Sequence, residues 1–308
     1  MKIIIDTDPG QDDAVAILLA LASPEIEVLA VTAVAGNVPL GLTARNARVV
    51  CELAGRTDLP VHAGADRPLA RALVTAEHVH GVTGLDGADL PEPTMPLAEG
   101  DAADAIIAHL RREPPGTVTL CPLGPLTNVA TALARAPDVA GRIRRIVLMG
   151  GAYFEVGNIT PAAEFNIYVD PEAAAAVFRS GVPITVVPLD CSHKALTTRA
   201  RNAAFREAGR VGAAVAGWTG FFERFDREKY GSEGAPLHDP LVIGWLLRPD
   251  LFTGREVNVE IECDSALTRG MTVADWWGVT DRAPNALFLG GVDADGFFAL
   301  LTERLARL

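Results

Sequence analysis

Short β-branched runs alternate along this chain with alanine- and leucine-rich segments of helical period, and that alternation leaves few folds open. A run such as Ile3-Ile4-Ile5 has no polar face, so both of its sides must be covered, and parallel neighbours need helical crossovers that supply the cover. The pattern predicts an α/β fold: a single open, mostly parallel, Rossmann-like sheet with helices on both faces and an active site at the carboxyl ends of the strands. Strands are expected at Lys2–Asp6, Glu27–Ala33, Thr117–Cys121, Arg145–Leu148 and Ile184–Val187. Helices are expected at Asp12–Leu21, Leu40–Leu53, Asp101–Arg111, Leu126–Arg135 and Pro171–Phe178, the last capped by Asp170 and opened by a proline suited to the first helical position.

No repeat, low-complexity tract or solvated linker divides the 308 residues, and nearly half are hydrophobic, so one domain over 1–308 is expected. Two stretches resist the pattern. Thr75–Leu97 is rich in Gly, Pro and His, and Phe221–Pro236 mixes aromatic, charged and glycine residues; both read as irregular lids, binding loops or surface decoration. A formal charge of −12 argues against a nucleic-acid partner, which needs a basic face, and favours a small-molecule substrate. Cys51, Cys121, Cys191 and Cys263 form no CxxC pair, so neither a zinc site nor a disulfide framework is indicated; reduced, mostly buried thiols fit a cytoplasmic protein. The start turns acidic at Asp6, too early for a signal peptide. The apolar region Ala14–Ala35 is broken by Ser23-Pro24-Glu25 and by Glu27, so no membrane span is expected.

Ligands of open α/β sheets gather beyond the carboxyl ends of the strands, and those positions are unusually polar here. The first strand runs into Asp6-Thr7-Asp8-Pro9-Gly10-Gln11-Asp12-Asp13, the second is followed by Asn37, the fifth by Asp190. Four carboxylates within eight residues repel one another unless a cation or fixed donors compensate, and all-oxygen ligation favours calcium or magnesium over zinc, with calcium the more tolerant of an irregular turn. The plainer reading has Asp12 capping the helix, Asp6 ordering the turn and the others facing solvent. An EF-hand loop from Asp6 fails, because Gln11 and Ile17 stand where Gly and Glu are required. An aspartyl-phosphate phosphotransferase shares the strand and the Asp-x-Asp, but does not ask for Pro9-Gly10 or the Asp12-Asp13 pair.

Glu164-Phe165-Asn166 offers a carboxylate and an amide two residues apart, able to reach one face of an extended segment and suited to sugar hydroxyls; a loop stabilised by its own amides has the same spacing. His238-Asp239-Pro240 precedes the helical run Leu241–Leu247, where Asp239 also fits a simple N-cap and His238 a surface imidazole. His78 and His80 sit in the first irregular stretch, and Met149 also fits plain packing.

Together these residues resemble the inosine-uridine nucleoside hydrolase family. Asp-Thr-Asp-Pro-Gly-Gln-Asp-Asp at the start, Val-Ala-Gly-Asn ending at Asn37, Val-Leu-Met-Gly-Gly around Met149, Ala-Glu-Phe-Asn around Glu164, and His238-Asp239-Pro240 occur in family order over essentially the whole chain. The resemblance implies a calcium ion held by Asp8, Asp13, the backbone carbonyl of Leu123 and Asp239; family members often carry Thr at position 123, a change that a carbonyl ligand survives. It implies that Asp12, Asn37, Asn158, Glu164 and Asn166 hold the ribose beside Phe165, that Met149 packs under it and that Asp8 is the general base. His238 is then the proton donor to the leaving base and His80 a second group contacting it. His80 through Gly87, and Gly234-Ala235-Pro236-Leu237, look more like the pyrimidine-preferring bacterial members, implying uridine and cytidine. Tyr230, Phe221 and Phe222 fit stacking on the base or plain packing. A homotetramer or homodimer is also implied. A non-catalytic nucleoside sensor on the same fold and a metal-dependent phosphotransferase are the rival functions; the intact Asp8 disfavours the first, since a binder needs no base.

Overall fold

The computed structural model describes the backbone of residues 1–308 and all side chains except those of Asp226, Lys229 and Tyr230. Eight strands build the central sheet: β1 (Lys2–Thr7), β2 (Glu27–Ala33), β3 (Val61–Ala63), β4 (Val118–Pro122), β5 (Ile143–Met149), β6 (Ile184–Val187), β7 (Phe252–Val257) and β8 (Ala286–Val292). Their order is β3-β2-β1-β4-β5-β6-β8-β7, and only the β8–β7 pairing is antiparallel. Alternate residues of β1 enter opposite layers: Ile3 and Ile5 pack with one set of helices, Ile4 with the other. The polar-free run in the sequence is therefore the central strand of a sheet covered on both faces.

All five expected strands and all five expected helices form, with ends within two residues of those anticipated. The first helix, α1, spans Gln11–Leu21, which sets Asp12 and Asp13 in its first turn. Asp170 caps Pro171–Phe178 by accepting from Ala173 N at 3.0 Å. Thr75–Leu97 is irregular apart from one turn at Glu77–His80.

Two expectations need correction. Phe221–Pro236 is not a loop: its first ten residues complete a 22-residue helix, Gly209–Tyr230, here α2, and its end forms a short strand, Gly234–Pro236. Glu164-Phe165-Asn166 is not extended; Glu164 is the N-cap of a short helix, Phe165–Val169, because its carboxylate accepts from Asn166 N and Ile167 N. Among the described residues no helix is long and apolar enough to cross a membrane, and the four cysteines are free, Cys263 being only half-buried.

Candidate active site

The acidic turn lies at the carboxyl end of β1, and all four of its carboxylates are buried. Asp8 is held between two glycines: a Cβ on Gly36 would stand 2.0 Å from its Oδ2, and one on Gly124 2.2 Å from its Oδ1, distances no side chain tolerates. Oδ2 accepts from Asn37 N at 2.7 Å, whereas Oδ1 is buried and unpartnered. Asp13 is tied to the strand and turn, with Thr7 Oγ1 donating to Oδ1 at 2.5 Å and Gly10 N to Oδ2 at 3.0 Å. Asp239 precedes the helix Pro240–Leu247 but its side chain does not cap it; it turns instead to Asp12 and Asp13, with ligand oxygens of the three within 4.8 Å of one another.

Burial raises the pKa of each of these groups, and repulsion among the carboxylates adds to the rise at Asp8, Asp12 and Asp239; Asp12 is lifted to about 7 and Asp8 and Asp239 well above the usual carboxylate range. Among the described residues no Lys or Arg forms an ion pair with any of them. The orphaned Oδ1 of Asp8 and three converging carboxylates make a donor set fitted to a hard divalent cation. Asp12 joins this convergence more closely than the sequence reading, which gave it to the ribose alone, had it. Asp6 also departs from expectation. It does not order the turn but is sunk in the sheet, taking hydrogen bonds from Thr32 Oγ1 at 2.6 Å and Asn128 Nδ2 at 2.8 Å.

Above the carboxylates opens a cavity of about 400 Å³ lined by Asp12, Asn37, His80, Leu123, Met149, Asn158, Glu164, Phe165, Asn166, His238 and Asp239. Asp8 and Asp13 lie beneath its lining. Asn37 bridges them, its Nδ2 donating to the Asp8 carbonyl and to Asp13 Oδ2, both at 3.2 Å. On the opposite wall Glu164 Oε2 accepts from Gly151 N at 2.9 Å, and burial lifts its pKa to about 7. Asn166 Nδ2 donates to the Leu123 carbonyl at 2.6 Å and to Met149 O at 3.2 Å, joining the ends of β4 and β5. Asn158 Oδ1 is used on Phe165 N, which fixes the loop it comes from.

The far end is aromatic. His80 stacks on Phe222 at 5.5 Å, and Phe222 meets His238 edge-on at 6.4 Å. Burial pushes both imidazoles down to about 3, so both are neutral near pH 7. His238 Nδ1 lies 2.8 Å from Ser192 Oγ, and His80 Nδ1 2.7 Å from Gln11 Oε1. Of the aromatic residues proposed for the base, Phe222 lines the cavity; Phe221 lies under the Arg224 guanidinium and outside it, and the Tyr230 side chain falls outside the described residues.

A family profile described as inosine-uridine preferring nucleoside hydrolase matches residues 3–299. The chain belongs to that family. It is accordingly an enzyme that hydrolyses ribonucleosides. An uncharacterized protein of Schizosaccharomyces pombe is 57% identical over the whole of both chains. The pyrimidine-specific ribonucleoside hydrolase RihA of Citrobacter koseri is 48% identical over 99% of this chain and 98% of its own. Among solved structures, the purine-preferring ribonucleoside hydrolase from Gardnerella vaginalis superimposes with a TM-score of 0.93 at 31% identity, covering 99% of this chain and 98% of the other.

Several groups in this nucleoside hydrolase escaped the sequence reading. Ser192 and Gln11 touch the two imidazoles; Ser192 stands in no motif, and Gln11, though inside the acidic turn, was given no role of its own. Asp190, read as one of the polar strand ends, does not line the cavity; it holds the 153–155 loop by accepting from the backbone N–H groups of Tyr153, Phe154 and Glu155. His193 and Glu155 pair at 3.1 Å at the cavity wall, a contact visible only once that loop is in place.

Proposed function

We propose that this chain cleaves the N-ribosidic bond of ribonucleosides, with a lean to uridine and cytidine, releasing free base and ribose in nucleoside salvage. The observation that carries this reading is the unpartnered Asp8 Oδ1 set among carboxylates under a cavity walled by Asn37, Glu164 and Asn166. Calcium, held by Asp8, Asp13, the Leu123 carbonyl and Asp239, would anchor a ribose diol, offset the clustered negative charge and make a nearby water more acidic.

The residues divide the remaining work. Asp8 Oδ1 takes a proton from the attacking water, and the glycine walls keep it from turning away. Asp12, Asn37, Asn158, Glu164 and Asn166 hold the ribose hydroxyls, with Met149 and Phe165 packed against the ring, so that the sugar sits where negative oxygens favour an oxocarbenium-like transition state. Water adds at the anomeric carbon on the face opposite the base, as in an inverting glycosidase. The electrons of the broken bond leave with the base, which His238 stabilises by donating a hydrogen bond, and His80 contacts the base as well. The similarity to RihA supports the pyrimidine lean. The chain is proposed to act as a single domain over 1–308, in the cytoplasm, as a homotetramer or homodimer, a reading that rests on the family resemblance.

The test is release of ribose from uridine, cytidine, inosine and adenosine with and without a calcium chelator. Uridine and cytidine should be cleaved fastest, and chelation should stop turnover until calcium is restored. Activity that survives exhaustive chelation would remove the metal from the reading.

A further inference from the structure

Gln11 has a place in the fold that the reaction outlined above does not use. It is the first residue of α1, one position before Asp12, and is 1% exposed. Its Nε2 donates to two carbonyls of the irregular segment above it, His80 O at 2.8 Å and Asp86 O at 3.1 Å. Both amide hydrogens are thereby used, and turning the amide over would set its oxygen against those two carbonyl oxygens. The orientation is therefore fixed by its surroundings, and Oε1 faces His80 Nδ1 at 2.7 Å.

An amide oxygen can only accept a hydrogen bond, so Nδ1 must carry the hydrogen. Burial keeps the ring neutral, and a neutral imidazole has one N–H; Nε2 is then bare. The ring is not free to exchange its edges. Phe222 covers one face, and Nδ1 lies against Gly10, where a Cβ would stand only 2.5 Å away. Nε2 is the nitrogen left for the cavity that His80 lines.

We propose that Gln11 is a positioning residue that locks His80 in the tautomer presenting a bare Nε2, and that this nitrogen accepts a hydrogen bond from an N–H of the nucleobase. The proposal rests on the nucleoside reading above for its ligand. It separates the two imidazoles, because the partner of His238 Nδ1 is the Ser192 hydroxyl, which both donates and accepts and so leaves that ring free to present an N–H. His80 cannot protonate the leaving base through Nε2; it selects for a base that turns a donor toward it. In uridine the only N–H of the base is N3–H, and in cytidine the donor is the exocyclic amine.

The first measurement is a long-range proton–nitrogen correlation spectrum of the nitrogen-15-labelled full chain without substrate, with His80→Phe identifying the resonances. His80 should show a protonated Nδ1 and a bare Nε2 near neutral pH, and Gln11→Leu should shift the ring toward the Nε2–H form. A protonated Nε2 in the unaltered protein overturns the proposal. The second measurement is kcat/KM for uridine against 3-methyluridine. Loss of the Gln11 lock should shrink that preference about tenfold, the worth of one hydrogen bond. Simple exclusion of the methyl group by size would leave the ratio unchanged in Gln11→Leu and would overturn the acceptor role. Should Gln11→Leu not fold, His80→Phe, similar in bulk but without the acceptor, carries the same comparison. If no nucleoside is cleaved, the hydrolase reading falls, while the spectrum, recorded without substrate, still decides the tautomer.

Discussion

Asp8 concentrates the conflict between stability and chemistry in one side chain. Its Oδ1 has no partner, its neighbours are carboxylates, and the two glycine walls deny it any relaxed position. Asp8→Asn keeps the shape and removes the proposed base, so kcat should fall about 10²–10⁴-fold, the usual range for loss of a general base, while the far-ultraviolet dichroism spectrum stays unaltered. Near-normal turnover would show that another group takes the proton. At the other end of the cavity, the Ser192 hydroxyl meets Nδ1 of His238, the proposed leaving-group donor. Ser192→Ala should slow uridine cleavage about tenfold and leave 4-nitrophenyl riboside, whose leaving group needs no proton, nearly unchanged. Equal losses on both substrates would mean that Ser192 supports the fold rather than the leaving-group donor.

Helix α2 shows how an element disguises its own pattern. Gly212, Gly217 and Gly220 interrupt it with the weakest ordinary helix former, and its second half mixes aromatic with charged residues, so the sequence suggests a loop. Two of the glycines, Gly212 and Gly217, are there for proximity. A Cβ on Gly217 would lie 2.3 Å from the Gly87 carbonyl, which means that α2 and the irregular segment carrying His80 meet backbone to backbone. Gly→Ala within a helix ordinarily stabilises by about 1 kcal/mol. Here the clash should reverse the sign, costing about 1–3 kcal/mol as overpacked sites do, and should raise KM by displacing the segment above the site. A higher melting temperature for Gly217→Ala would show that the contact yields. The strands that went unread have a similar cause. β3 has only three residues, β7 is an edge strand with four consecutive exposed positions, and the apolar run Ala286-Leu287-Phe288-Leu289 of β8 is cut short by Gly290-Gly291 and holds no β-branched residue of the kind that marked β1. The acidic turn and Asn37 were more legible than these elements, because they follow strands that were easy to read, whereas Glu164, Asn166 and Asp239 stand away from those strands and were legible only as short motifs. What stayed hidden were Gln11 and Ser192, whose meaning depends on which imidazole the fold brings to them.

For the whole molecule, the buried carboxylates couple folding to pH and to the metal. In an unfolded chain Asp12 would titrate near the ordinary value of 3.8, but in the metal-free fold it titrates near 7. Between those values the folded state binds more protons than the unfolded one, so stability must fall as pH rises through this window and level off above it. Asp8, Asp13 and Asp239 are raised in the same direction and add to the fall. Glu25, held low by Arg304, works the opposite way, but below its usual range and in metal-free and metal-loaded protein alike, so it cancels in a comparison of the two. A bound divalent ion compensates the cluster once the carboxylates are ionised, and its affinity grows as protons leave. The melting temperature of the chelated protein should therefore drop between about pH 4 and about pH 7 relative to the calcium-loaded protein, and the gap between them should widen with pH across that window. A gap that stays constant across that range would mean that the ion is not held by Asp8, Asp13 and Asp239 beside Asp12.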